Sequence, residues 1–328
     1  MPMKLGAIAA AFAGLAIAAY LVFHVGFAVV LGAVASVGWG GFALLCALAL
    51  ALFVVLGAAW FVLMDGLPAA RIATFVWGRI VRDAAGDVLP FSQFGGILIG
   101  VRALVLRGMA APLAFASAIV DATTEMMAQI VFILIGIALF VARFGLHSAA
   151  LSSAAICGIV FVIAGSIAFI VLQRRGLGLA EGLARRFLPR MAGHARDFRR
   201  AIETIYASKG RLALSSAIHL AGWIGSALGT WLALRLIGAR IDFAAAVAIE
   251  SILCALRSAA IAVPGALGVQ EAGYAMLMPL FGLPAEIGLA VSLLKRAREI
   301  AIGVPVLLVW QGIEGRHALK ADVAAWEP

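Results

Sequence analysis

Ionisable residues embedded in otherwise apolar stretches are where this sequence could do chemistry. They are Arg102 and Arg107, Asp121 and Glu125, Glu250 and Arg257, Glu271, and the run Lys295, Arg296, Arg298 and Glu299. Asp121 and Glu125 stand four apart, so both carboxylates lie on one helical face; Lys295 with Glu299, and Glu250 with Arg257, share faces in the same way. A charge held away from water is costly, so side chains like these either pair or line a wet cavity. Six bases stand against five acids, which suits two arrangements. One is a set of buried ion pairs that fixes helix packing. The other, preferred because the charges cluster, is a polar chamber that receives a polar or anionic group or exchanges protons.

The segment Val263-Pro264-Gly265-Ala266-Leu267-Gly268-Val269-Gln270-Glu271 is the most informative motif. Pro264, Gly265 and Gly268 interrupt a helix, and the amides so freed, with the start of the next half-helix, can face a polar group. Gln270 and Glu271 fall in that first turn. The competing reading is a Pro/Gly kink made only for packing. A second short stretch, Leu89 to Met109, also opens on proline and glycine and ends in a glycine turn. An offset of 174 residues sets Pro90 on Pro264, Leu106 on Leu280, Gly108 on Gly282 and Glu125 on Glu299. Transporter folds are commonly built from such repeats, with the substrate between two broken helices; chance likeness between two Gly/Ala-rich segments is the alternative.

Enzymatic signatures are missing. There is no Gly-x-Ser-x-Gly, P-loop or Rossmann fingerprint. His24, His147 and His219 are isolated and read as interfacial or packing residues, and Cys46, Cys157 and Cys254 have neither disulfide nor metal-ligand spacing. The expectation is a protein without cofactor or metal that is not an enzyme.

These residues must be held by membrane helices. The chain is 65% hydrophobic and 12% charged, with mean hydropathy +1.12, against a charged share of roughly a quarter in soluble domains. Runs of spanning length occur at 5–31, 41–63, 110–142, 148–172 and 212–237, and two polar-bearing candidates follow at 243–263 and 285–311. With no ten-residue alternating strands, the fold class is all-α: a polytopic helix bundle of seven crossings plus two re-entrant or broken segments, in a single domain over 1–328. Lys4 and the run after it read as the first of these helices rather than a signal peptide.

The formal charge of +9 sits largely in one loop, 173–211, where ten basic residues face Glu181, Asp197 and Glu203. That asymmetry marks the cytoplasmic side of an inner membrane and an anionic lipid surface as partner, not a nucleic acid. Leu183, Phe187, Leu188, Phe198, Ile202 and Ile205 among the arginines suit one or two interfacial helices. The segment 64–90 falls on the same aqueous face.

Pro264 to Glu271, then Leu280-Phe281-Gly282 and Leu293 to Glu299, resemble the membrane region of lysylphosphatidylglycerol synthase, a flippase-like superfamily. Leu89 to Gly96 and Arg102 to Gly108 look more narrowly like the HpnL-type proteins associated with hopanoid biosynthesis. The sequence has Ala266 where such members often carry a second glycine. The resemblance implies a protein that moves hopanoid or another lipid between the leaflets of a bacterial inner membrane. Arg102, Arg257, Lys295, Arg296 and Arg298 would then attract the headgroup, while Asp121, Glu125, Glu250 and Glu271 balance them or exchange protons. Two rivals are an intramembrane enzyme using Asp121 and Glu125 as acid and base, and a scaffold recruiting hopanoid-making enzymes through 173–211.

Overall fold

The computed structural model describes residues 27–88, 92–145, 192–259, 266 and 268–324. The described residues form nine α-helices and no strand. These are α1 (Phe27–Val62), α2 (Ile72–Val88), α3 (Ser92–Leu106), α4 (Ala111–Phe144), α5 (Ala192–Ala207), α6 (Lys209–Leu236), α7 (Phe243–Ala259), α8 (Val269–Leu277) and α9 (Ala285–Ala324). Three stretches are long and apolar enough to cross a membrane: Ala35–Val62, Ala111–Phe144 and Lys209–Leu236. They match the runs expected at 41–63, 110–142 and 212–237. The runs at 148–172 and most of 5–31 lie outside the described residues.

The offset of 174 now acquires a physical meaning. It carries Ala35–Val62 onto Lys209–Leu236 residue for residue, and the first residue of α4, Ala111, onto the first of α9, Ala285. The short helix α3 falls on α8 and its 3-10 extension Met278–Phe281, and both end at a glycine of positive φ, Gly108 at +86° and Gly282 at +75°. Packing follows the same symmetry. Helices α1 and α6 lie against each other, α4 crosses to pack on α6 and α7, and α9 crosses to pack on α1 and α2. Each half thus lends its fourth helix to the other.

Each half also has its own apolar core. In the first, Trp60, Leu63, Phe75, Leu104, Ala114 and Val120 meet Ile202 and Ile205 of α5. In the second, Leu234, Ile249, Leu253, Tyr274, Met278 and Leu294 cluster with Leu45. Helix α5 therefore turns its apolar face onto protein.

Segment 64–90 departs from the expectation of an aqueous loop. Helix α2 buries Phe75, Arg79, Val81, Arg82, Ala84, Ala85 and Val88. Hydropathy reads its charges as solvent-seeking, but carboxylates from α4 neutralise them inside the bundle. Close backbone approach holds α2 in place, as small residues allow between membrane helices. A Cβ on Gly57 would come within 2.5 Å of the Val76 Cα, and one on Gly96 within 2.5 Å of the Arg82 carbonyl oxygen.

Candidate functional site

Two ionic clusters occupy the interior, one in each half. In the first, Arg79 and Arg82 project from α2 toward α4. Arg79 donates through both terminal nitrogens to Glu125, at 2.6 and 2.8 Å, and through Nε to Asp83 at 2.7 Å. Arg82 donates to Asp121 at 2.7 Å and to Glu125 at 2.9 Å. The other Asp121 oxygen lies 3.0 Å from His219 Nε2 on α6. Asp121 and His219 are both fully buried. The carboxylates that were candidates for acid and base are thus gripped by paired guanidinium donors, the strongest hydrogen bonds available to them.

In the second half the same construction has opposite polarity. Glu250 on α7 is the anion and Lys295 on α9 the cation, with Lys295 Nζ at 2.7 and 2.8 Å from the two carboxylate oxygens. Ser226, Thr230 and Tyr274 hydroxyls donate to the same carboxylate at 2.8, 2.6 and 2.8 Å. Lys295 also donates to Thr230 and Tyr274 at 3.1 and 2.8 Å, so its donors are fully engaged.

Beside this cluster the Gly-rich motif enters α8. Gly268 has φ +78° and its N–H donates to Glu271 at 2.7 Å, so Glu271 caps its own helix. The remaining Glu271 oxygen lies 3.3 Å from Ser292 Oγ and 3.5 Å from Arg296. Gln270 is buried and donates to Ser292 at 3.1 Å. Ala266 has φ +48°, the one non-glycine residue of positive φ among those described. Pro264 and Gly265 lie outside the described residues.

Three charged side chains from three helices complete the interior without being tied into it. They are Asp87 of α2, Arg257 of α7 and Arg298 of α9, and Asp87 lies in the fields of Glu299, Arg257, Asp83 and Arg298. Among the described residues, Asp87 and Arg257 make no hydrogen bond and no ion pair within 4.0 Å. Arg298 makes no hydrogen bond and meets only Glu299, at 4.0 Å. All three are partly buried. Glu299 itself is held by Arg296 at 3.1 Å. Residues 295–299 lie 10 to 14 positions into α9, about 15–21 Å along its axis. A membrane crossing is about 30 Å long. Among the described residues, these two guanidinium forks and one carboxylate thus make no hydrogen bond to protein.

Among the expected site residues, the structure brings Asp121 and Glu125 together in one cluster. It gathers Glu250, Arg257, Gln270, Glu271, Lys295, Arg296, Arg298 and Glu299 around the other. Arg102 stands apart: it pairs with Glu314 at 2.8 Å on a face where the two side chains are 49% and 35% exposed. Arg107 is also exposed, near the Trp77 ring. The sequence reading missed Arg79, Arg82, Asp83, Asp87, Thr230 and Tyr274, and it took His219 for an isolated residue. A usable signal existed. The offset of 174 sets Lys295 on Asp121 and Arg257 on Asp83, which points to helix 64–90 as the ionic partner of α4.

A family described as the lysylphosphatidylglycerol synthase TM region matches residues 8–306 of the chain. No curated protein and no solved structure matches it.

Proposed function

Because the chain belongs to the lysylphosphatidylglycerol synthase TM-region family, a membrane family linked to lipid handling, we propose that it carries polar lipids between the two leaflets, with the headgroup passing the Asp87, Arg257 and Arg298 group. The observation that carries this reading is that those three side chains make no hydrogen bond among the described residues. Charges kept inside a membrane protein without direct partners are expensive, and they persist where a pathway needs them. The twofold repeat supports the same reading, since transporters built from repeats place their substrate at the junction of the halves. Asp87 comes from the first half, Arg257 and Arg298 from the second.

On this reading α7 and α9 also cross, α3 and α8 are broken half-helices, and the total reaches seven crossings with two re-entrant segments. The membrane is the inner one of a bacterium, and α5 with the rest of 173–211 lies on its anionic cytoplasmic surface. A hopanoid carrying a polar side chain is a second cargo compatible with the narrower HpnL-type resemblance.

The test is transbilayer movement of acyl-labelled fluorescent phospholipid in vesicles, read by quenching of the outer leaflet with dithionite. Arg257→Gln and Arg298→Gln should each slow movement by about tenfold or more, the worth of one charge-assisted hydrogen bond of roughly 1.5–3 kcal/mol. Arg102→Gln, which alters an exposed pair, should leave the rate unchanged. Wild-type rates in both arginine variants would end the assignment.

A further inference from the structure

We infer that the first ionic cluster is a proton-binding site and that the proton sits on His219 of α6. The inference stands apart from the transport reading. Arg79 and Arg82 face three carboxylates, Asp83, Asp121 and Glu125, at 2.6 to 3.6 Å. One negative charge is left over. Elsewhere in the described interior the counts match: Arg257, Lys295, Arg296 and Arg298 stand against Asp87, Glu250, Glu271 and Glu299. Towards the surface, Arg102 pairs with Glu314, Arg143 with Asp242 and Arg211 with Asp65, and these cancel. Among the described residues no group of three acidic, histidine or cysteine side chains could hold a metal ion. A lone buried carboxylate charge is costly, and a proton is what remains to offset it.

His219 is built to take it. Its Nε2 lies 3.0 Å from one Asp121 oxygen, and both side chains are 0% exposed. Arg82 donates to the other Asp121 oxygen at 2.7 Å. The second ring nitrogen, Nδ1, is buried with no hydrogen-bond partner among the described residues. One nitrogen can therefore stay on Asp121 while the other gains or loses the proton, and only the doubly protonated ring is a cation. Imidazole is also the stronger base: in water it holds a proton to about pH 6.5, an aspartate only to about pH 3.9.

The helices packed on α6 are α1, α4, α7 and α9. From α4 come Asp121 and Glu125, with Arg79, Arg82 and Asp83 of α2 bound to them or to each other. Helix α1 has no acid or base, Cys46 being its one titratable side chain, and meets Gly222 and Gly225 with Leu56 and Leu52. Helix α7 brings Glu250, Cys254 and Arg257, and α9 brings Lys295, Arg296, Arg298 and Glu299; Glu250 closes on Lys295 at 2.7 Å. The contact also joins the two halves, α4 belonging to the first and α6 to the second. The other ion pairs named across that junction, Arg102 with Glu314, Arg143 with Asp242 and Arg211 with Asp65, have side chains at least 35% exposed. A proton on His219 turns the buried contact between the halves into a salt bridge.

The experiment reads the ring directly. Changing His24→Gln, His147→Gln, His194→Gln and His317→Gln leaves His219 as the only histidine of the five, and nitrogen NMR of the histidine-labelled full chain in nanodiscs reports its two nitrogens. At about pH 7.5, where free imidazole is mostly neutral, both should carry protons. Adding Asp121→Asn, which removes the excess carboxylate, should return a neutral ring. A neutral ring in the intact cluster, which would put the proton on a carboxyl such as Asp83, overturns the inference, and so does a cationic ring that survives Asp121→Asn. A second measurement compares the wild type with His219→Gln by dodecyl sulfate unfolding at about pH 6 and pH 8.5. A proton held by the folded chain but not by the unfolded one adds stability that is complete below about pH 6.5 and is lost as pH rises. The folded-to-unfolded ratio of the wild type should thus fall about tenfold further than that of His219→Gln. A buried neutral ring gives no such fall, and an equal or smaller fall overturns the assignment. Should His219→Gln fail to fold, the single-histidine spectrum decides alone.

Discussion

Replacing Arg79 with methionine should be among the most damaging single changes in the molecule, and the reason lies in charge rather than size. Arg79 is 4% exposed and contacts Glu125 twice and Asp83 once at 2.6 to 2.8 Å. With it gone, Asp83, Asp121 and Glu125 confront Arg82 alone. Removing one partner of a buried ion pair costs about 3–5 kcal/mol, because the other is stranded. Adding Glu125→Gln to the same chain restores the original excess of one carboxylate over the guanidiniums, so the double variant should recover about 2 kcal/mol. Arg102→Met is the control. Its pair with Glu314 is equally short at 2.8 Å, but with side chains 49% and 35% exposed it should cost under about 1 kcal/mol. Unfolding of purified protein in mixed micelles by stepwise addition of sodium dodecyl sulfate, followed by tryptophan fluorescence and with Glu125→Gln also measured alone, ranks the five proteins. Should Arg79→Met lose no more than Arg102→Met, or the double variant lose the sum of its parts, the charge argument for this cluster is wrong.

Two further outcomes are expected. Ala266→Gly should stabilise by about 0.5–1 kcal/mol in the same titration: a left-handed conformation costs an L-residue roughly 1–2 kcal/mol, and glycine returns about 0.4–1 of that through its freer unfolded chain. A loss of stability would mean that Ala266 does not hold φ +48°. At the mouth of α7, the Ala245 N–H first, and then Arg143, hold the Asp242 carboxyl below the usual carboxylate range. A depressed value means that its stabilising contribution is complete above about pH 4, the ordinary aspartate range, and disappears as pH falls through the lower folded value. Asp242→Asn should therefore flatten the acid side of the stability profile between pH 2 and 5, by well under 1 kcal/mol because both partners are about half exposed. An unchanged slope counts against the contact.

The apolar spans were legible because hydropathy reports them directly: residues 41–63, 110–142 and 212–237 each fall inside one helix but for a single terminal residue. The charged residues within those spans and in the Gly-rich motif were also visible, since anything ionisable stands out there. What hydropathy could not separate is a charged loop in water from a charged helix whose countercharges arrive from elsewhere. Arg79, Arg82, Asp83 and Asp87 lie within nine residues and look solvent-seeking. Only the pairing of Arg79 and Arg82 with Asp83, Asp121 and Glu125 offsets the cost of burying the two guanidiniums. Glu271 illustrates the opposite error. Its place in the first turn of α8 was foreseen, but an acid three residues after Gly268 can equally reach back to the helix start, and that is what it does. His219 was overlooked because its partner lies 98 positions away.

Repetition explains why the two clusters differ as they do. Position 121 of the first half is aspartate and its equivalent, 295, is lysine; position 83 is aspartate and its equivalent, 257, is arginine. At the next pair, Thr124 in the first half bonds to Ser215 at 2.9 Å, whereas its equivalent Arg298 makes no hydrogen bond among the described residues. The first half has thus closed its polar positions on one another. Arg79 and Arg82 bind every carboxylate within reach, and a closed ionic network of that kind fixes α2 against α4. The second half closes Glu250 on Lys295 but leaves its equivalents of Asp83 and Thr124, now arginines, without a direct hydrogen-bond partner. Asp87 supplies the opposite sign from the far side of the repeat junction. Two copies of one helical plan have therefore been given different work. The clamped copy fixes α2 against α4, while the other holds Arg257 and Arg298 without a hydrogen bond among the described residues, which is what the proposed lipid pathway requires of it.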